Sequence, residues 1–144
     1  MIKKKSSFCK LASVAIVLLF SIIIFSGCQR SSKQPGTLIT NSDGEVSVGV
    51  QYLGYKDNSV SFNIAMDTHS VNLDNYDLAE LSELTDDKGY DYAIVSWDSK
   101  PGGHHRDGIL TFSKSGSQGR PDTLILVIRN IAEIEERTFI WENI

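Results

Sequence analysis

The sequence predicts an all-β domain, an antiparallel Ig-like β-sandwich of about seven strands following an N-terminal signal segment. Three observations carry this. Apolar residues from position 45 onward recur with period two, turn-forming clusters interrupt them about every ten residues, and no stretch of the domain shows a sustained helical period. The first alternating run is Val46, Val48, Val50 and Tyr52. The second is Val60, Phe62, Ile64 and Met66, after the polar turn Lys56-Asp57-Asn58, so the two read as a hairpin with one buried face. Further strands fit 92–97, 108–112, 123–128 and 137–141, and a short first strand fits 37–40. Two segments are ambiguous: Leu78–Leu84 also suits one or two helical turns, and so does Ile131–Glu136. Val48, Val50, Phe62, Ile64, Leu110, Leu124, Leu126 and Ile128 are the expected core.

The beginning of the chain reads as an address. Lys3, Lys4, Lys5 and Lys10 precede the apolar run 11–25, which is shorter than the roughly 20 residues a membrane-spanning helix needs. Ser26-Gly27-Cys28 follows directly. A Cys after small residues at the end of such a run resembles the lipobox of bacterial lipoproteins, although Phe25 stands where Leu is usual. The resemblance implies a diacylglyceryl group on the Cys28 thiol and removal of residues 1–27. It implies anchorage to the membrane through acylated Cys28 on the extracytoplasmic side of the cell membrane or outer envelope. An uncleaved N-terminal membrane anchor is the alternative, and it too places the domain outside the cytoplasm. Residues 28–43 are polar, contain Pro35-Gly36 and read as a flexible tether, leaving the sandwich domain at 44–144.

This division changes the chemistry available. The whole chain of 144 residues has a formal charge of −4, but four of its 14 basic residues and none of its 18 acidic ones lie in the leader. The remainder carries 10 basic against 18 acidic side chains, a formal −8. That excludes a phosphate-reading surface, so no nucleic acid partner is expected. Both cysteines, Cys9 and Cys28, are consumed by the leader and the lipid. The mature domain then has no disulfide, no thiolate metal site and no Cys nucleophile.

The three histidines are the most informative residues beyond the leader. His69 follows Asp67-Thr68 where the second alternating run ends, and His104-His105 follow Pro101-Gly102-Gly103 where a later strand begins. All lie at strand ends, where sandwich loops cluster. If the alternation persists, Asp67 and His69 point away from the core. Neutral imidazole with carboxylate suits Zn²⁺ or Cu²⁺, and the candidate ligands are His69, His104 and His105 with Asp67 and Asp98. No recognised ligand spacing is present, and neighbours on a strand point apart, so His104 and His105 do not both reach one ion without a bent backbone. The reading preferred on these grounds has no cofactor. In it these residues shape the loops, with Gly102–Arg106 lying beside Trp97 and Arg106 pairing an acid from the 74–98 region.

Together Asp67-Thr68-His69-Ser70-Val71-x-Leu73-Asp74, Ser96-Trp97-Asp98 and Pro101-Gly102-Gly103-His104-His105-Arg106 resemble an uncharacterised group of extracytoplasmic prokaryotic domains. The resemblance covers roughly 60–142 and implies a β-rich domain without an assigned activity. Other chemistry is poorly represented. The acids between Asp74 and Asp91 lack EF-hand spacing, there is no G-x-S-x-G, and no Gly-rich phosphate loop opens a helix. So small a domain also seldom offers a glycosidase groove. The expectation is therefore a non-catalytic, lipid-anchored binding module that meets another envelope protein or a ligand. A copper- or zinc-binding envelope protein is the alternative.

Overall fold

In the computed structural model of the chain, the described residues are 36–116 and 119–144. The expected signal segment, Cys28 and the rest of the tether up to residue 35 lie outside them. Among the described residues there are eight strands: β1 (Leu38–Asn41), β2 (Val46–Lys56), β3 (Ser59–Thr68), β4 (Ser82–Asp86), β5 (Asp91–Ser99), β6 (His105–Ser113), β7 (Thr123–Ile131) and β8 (Ile134–Glu142). A 3₁₀ turn at Leu73–Asn75 and a four-residue helix α1 at Leu78–Leu81 lie between β3 and β4. No helix among the described residues is long and apolar enough to cross a membrane.

Every pairing is antiparallel, and the strands follow one another in the order β1-β2-β3-β6-β5-β4-β7-β8. The result is one nearly closed, barrel-like sheet. The strand that follows the β4-β5-β6 meander, β7, lies beside β4, which is Greek-key connectivity. Only two residue pairs, Leu84 with Tyr92 and Thr85 with Asp91, join β4 to β5. The strand allowed for near 37–40 is β1, and it pairs with β2 within the stretch otherwise expected as tether.

Period-two patterning explains the core directly. Val46, Val48, Val50 and Tyr52 of β2 face inward with Val60, Phe62, Ile64 and Met66 of β3, and all eight expected core residues are fully buried. Both ambiguous segments divide. Asp77 accepts a hydrogen bond from the Ala79 amide and starts α1, after which Ser82, Leu84 and Asp86 turn inward on β4. The second segment is a tight hairpin, with Ala132 and Glu133 linking β7 to β8 at φ 49° and 64°.

Phe62 ties the sheet across its interior. Its ring lies 4.9 Å from Trp141 of β8, 5.8 Å from Tyr52 of β2 and 6.1 Å from Phe112 of β6. Aromatic contacts of this kind add to the area they bury. Phe62→Ala is expected to cost about 3–5 kcal/mol in chemical denaturation, because the cavity it leaves is walled by four strands. A cost within experimental error would show that the ring is not part of the core.

Candidate functional site

One end of the sheet gathers the motif residues. Thr68, the last residue of β3, is buried, and its amide donates to the carbonyl of His104 at 3.0 Å. Its hydroxyl accepts from the amides of Ser70 and Val71, which turns the chain away from the strand. The 3₁₀ turn follows, started by Asn72, whose side chain accepts from the Asp74 amide. Asp74 then reaches the loop before β6. One carboxylate oxygen accepts from the Gly102 amide at 2.8 Å and the other from the Gly103 amide at 3.2 Å, while the Leu73 amide donates to the Gly103 carbonyl at 2.8 Å. Two backbone donors on one carboxylate make a charge-assisted clasp.

Gly102 is required by space and Gly103 by backbone conformation. A Cβ on Gly102 would lie 2.0 Å from the His105 carbonyl oxygen, and Gly103 has φ of +64°. Arg106 completes the clasp from the other side. Its guanidinium donates to the carbonyls of Leu73 and Tyr76 at 2.9 and 2.7 Å and to the Ser99 hydroxyl at 3.1 Å, and lies 5.7 Å from the centre of the Trp97 ring. It approaches Asp74 at 3.9 Å, so Asp74 is the acid it pairs with. Backbone-directed bonds thus join the first and third quoted motifs, and Trp97 of the second meets them through the Arg106 guanidinium.

The histidines stand on this frame. Asp67 of β3 and His105 of β6 are register partners, and Asp67 Oδ1 meets His105 Nδ1 at 2.6 Å. Their side chains are 62% and 71% exposed, so the pair contributes little to stability. Asp67, His69 and His105 line one open depression of about 290 Å³ with Glu45 and Ser47. Asp98 lines a different depression beside Lys100 and Pro101, and His105 borders both. His104 contributes its carbonyl to the Thr68 rung and lines neither depression. The structure therefore brings together Asp67, His69 and His105 but not His104 or Asp98. Among the described residues no three His, Cys, Asp or Glu side chains gather to hold a metal ion.

Across the sheet, Ser47, Asp67 and His105 form a row, with the carboxylate in the middle. A Ser nucleophile needs the imidazole next to its hydroxyl, and here the hydroxyl of Ser47 meets Ser42 instead, at 2.9 Å. The row does not form a triad.

Compared with known proteins, the chain matches no family model, no curated protein and no solved structure.

Sequence reasoning missed two buried cations. Arg137 of β8 is buried and donates to Asn41 Oδ1 and to the carbonyls of Ile131, Asp43 and Val46. Its place in register with Phe139 and Trp141 was the available signal. At the opposite end, Lys114 follows β6 and its Nζ lies 2.8 Å from Asp86 Oδ2, with both side chains buried. The Tyr92 hydroxyl also donates to Asp86 and meets the Tyr55 hydroxyl at 2.8 Å. Burial pushes both tyrosines up. Burial also acts to raise the Asp86 carboxyl, but the Lys114 ammonium and the amides of Tyr90 and Lys88 outweigh it and hold the group below its ordinary value. The bond to Asp86 holds Lys114 above its own, against the effect of burial.

Two outcomes are expected. Asp74→Ala leaves the Gly102 and Gly103 amides without their acceptor and should cost about 1–3 kcal/mol in denaturant melts. The Asp86–Lys114 pair should stabilise the fold between the two unfolded-state values. The Asp86 contribution is present above about pH 4 and lost as pH falls through its depressed native value. The Lys114 contribution is present below about pH 10 and lost as pH rises through its elevated native value. Lys114→Met should therefore cost on the order of 3 kcal/mol at pH 7, and the deficit relative to the native chain should shrink below about pH 4. Thermal melts across pH check both statements.

Proposed function

We propose that the chain is a membrane-anchored extracytoplasmic lipoprotein, acylated at Cys28, whose domain is a non-catalytic binding module for another envelope protein. The observation that carries the binding reading is the contrast at the motif end. Asp74, Gly102, Gly103 and Arg106 spend their bonds fixing backbone, and they hold exposed Asp67, His69 and His105 on a stiff frame. A preorganised polar surface binds without an ordering cost. The basic leader, apolar run and Ser26-Gly27-Cys28 support the anchor.

For the scaffold we extend the reading to a sandwich of Ig-like type. The Greek-key order and the two-pair link between β4 and β5 support treating β1-β2-β3-β6-β5 and β4-β7-β8 as two layers facing one core.

A second reading rests on one feature. Asp67 occupies Nδ1 of His105 and leaves Nε2 without that partner, His69 lines the same depression, and a carboxylate on the far ring nitrogen is the usual support of a metal-bound imidazole. In that reading His69 and His105 would ligate Zn²⁺ or Cu²⁺ and Asp67 would orient one of them.

Cys28→Ala should abolish palmitate labelling and leader cleavage; label that persists would refute the anchor. A photo-crosslinking phenylalanine analogue at His69 should give a discrete adduct in intact envelopes, while the same analogue at Thr138, exposed on β8, should not. Adducts at Thr138 alone would move the binding face elsewhere. Calorimetric titration with Zn²⁺ and Cu²⁺ separates the second reading: micromolar stoichiometric binding, worth about 8 kcal/mol, that vanishes in both His69→Ala and His105→Ala would establish it.

A further inference from the structure

The depression beside the histidines meets a larger one, of about 540 Å³, at Gly44 and Glu45. Half-buried Val71, Tyr76, Ala132 and Ile134 form its apolar wall. Exposed Glu45 and Glu133 border it, and among the described residues neither carboxylate has an ion-pair or hydrogen-bond partner. No Lys or Arg lines either depression. Arg137 lies close by, but its guanidinium is buried and bonded to carbonyl oxygens. The groove thus offers apolar wall and uncompensated negative charge side by side.

We propose that this groove binds an extended segment of a partner protein in which an aliphatic side chain lies between cationic ones. The aliphatic group packs on Val71, Tyr76 and Ile134. The flanking Lys or Arg side chains meet Glu45 and Glu133, and the charges complement each other as rims of specific interfaces do. A second copy of a chain this acidic repels the same surface. The inference rests on the binding-module reading of this end and names the chemistry of its partner.

The hairpin turn supplies a discriminating test. Ala132 and Glu133 hold φ of 49° and 64°, a conformation in which Gly is at ease and a side chain is strained. Glu133→Gly should relieve that strain and raise the melting temperature, while removing one carboxylate from the groove. A purely structural turn predicts the first effect without the second. Glu45→Gln removes the other carboxylate at an exposed position and should leave the melting temperature unchanged.

The probe is the blocked pentapeptide Lys-Leu-Lys-Leu-Lys, titrated into the isotope-labelled full chain in zwitterionic micelles and followed by amide shifts. Shifts are expected at Gly44, Glu45, Val71, Ala132 and Ile134. Binding should be about tenfold tighter than for Lys-Ser-Lys-Ser-Lys, the ratio that burying one aliphatic side chain supplies. It should be absent for Glu-Leu-Glu-Leu-Glu and weakened about fivefold or more by each of Glu133→Gly and Glu45→Gln. Equal binding of the acidic peptide, shifts confined to another surface, or unchanged affinity in both variants would overturn the proposal. So would groove shifts that depend only on protein concentration, which would make a second copy the occupant. If the peptide fails while the His69 crosslink in envelopes succeeds, the binding-module reading stands and this partner chemistry falls; if both fail, both fall.

Discussion

The guanidinium of Arg137 joins segments that the sheet ladder leaves apart. β1 and β8 are the two ends of the strand order, and no backbone ladder pairs them. Arg137 projects inward from β8 and donates to Asn41 at the end of β1, to the carbonyls of Asp43 and Val46, and to Ile131 at the end of β7. Trp141 adds a weaker bond to the carbonyl of Thr37 at 3.5 Å. Burial lowers the Arg137 pKa, yet a guanidinium stays charged in any protein, so its donors must be met inside. Four oxygen acceptors meet four of its five N–H groups. The near closure of the barrel and the position of residues 42–46 both follow from that requirement.

Those residues are also where the two depressions join. Gly44 has φ of +69°, and a Cβ there would lie 3.1 Å from the Ile134 side chain, so the chain passes tightly over the start of β8. On the other side, the Asp74 clasp and Arg106 hold the 3₁₀ turn and the loop before β6. The histidine end is thus fixed by a buried cation on one flank and by a carboxylate on two amides on the other. Exposed Asp67, His69, Glu45 and Glu133 make few bonds of their own. Stiff backbone beneath loosely committed side chains is what a recognition surface needs.

Much of this was legible in residue order. Alternation located β2, β3, β6 and β7 and identified the core, because one sheet face is buried and a slip of one residue would expose it. The clasp was partly legible: Gly102-Gly103 announced unusual backbone, and Arg106 announced an acid partner, but only folding shows that Asp74 is that acid, 32 residues away. The β7-β8 turn was not legible, since Ala132-Glu133 carries none of the Gly or Asn signal that such turns normally show. Nor was the number of layers, because pairing between β4 and β5 depends on two residue pairs that no local pattern encodes. Arg137 and Lys114 escaped for a related reason. A cation reads as surface until its acceptors, which come from distant segments, are in place.

Amide hydrogen exchange on Arg137→Leu tests the account most directly, since the substitution keeps apolar volume and removes every donor. The account predicts that Val46 and Ile131, together with β1, lose protection by about tenfold or more, a local opening worth roughly 1.4 kcal/mol, while the β3-β6 ladder from Phe62 to Leu110 keeps its native rates. Unchanged protection at Val46 and Ile131, or a uniform loss across all eight strands, would contradict it.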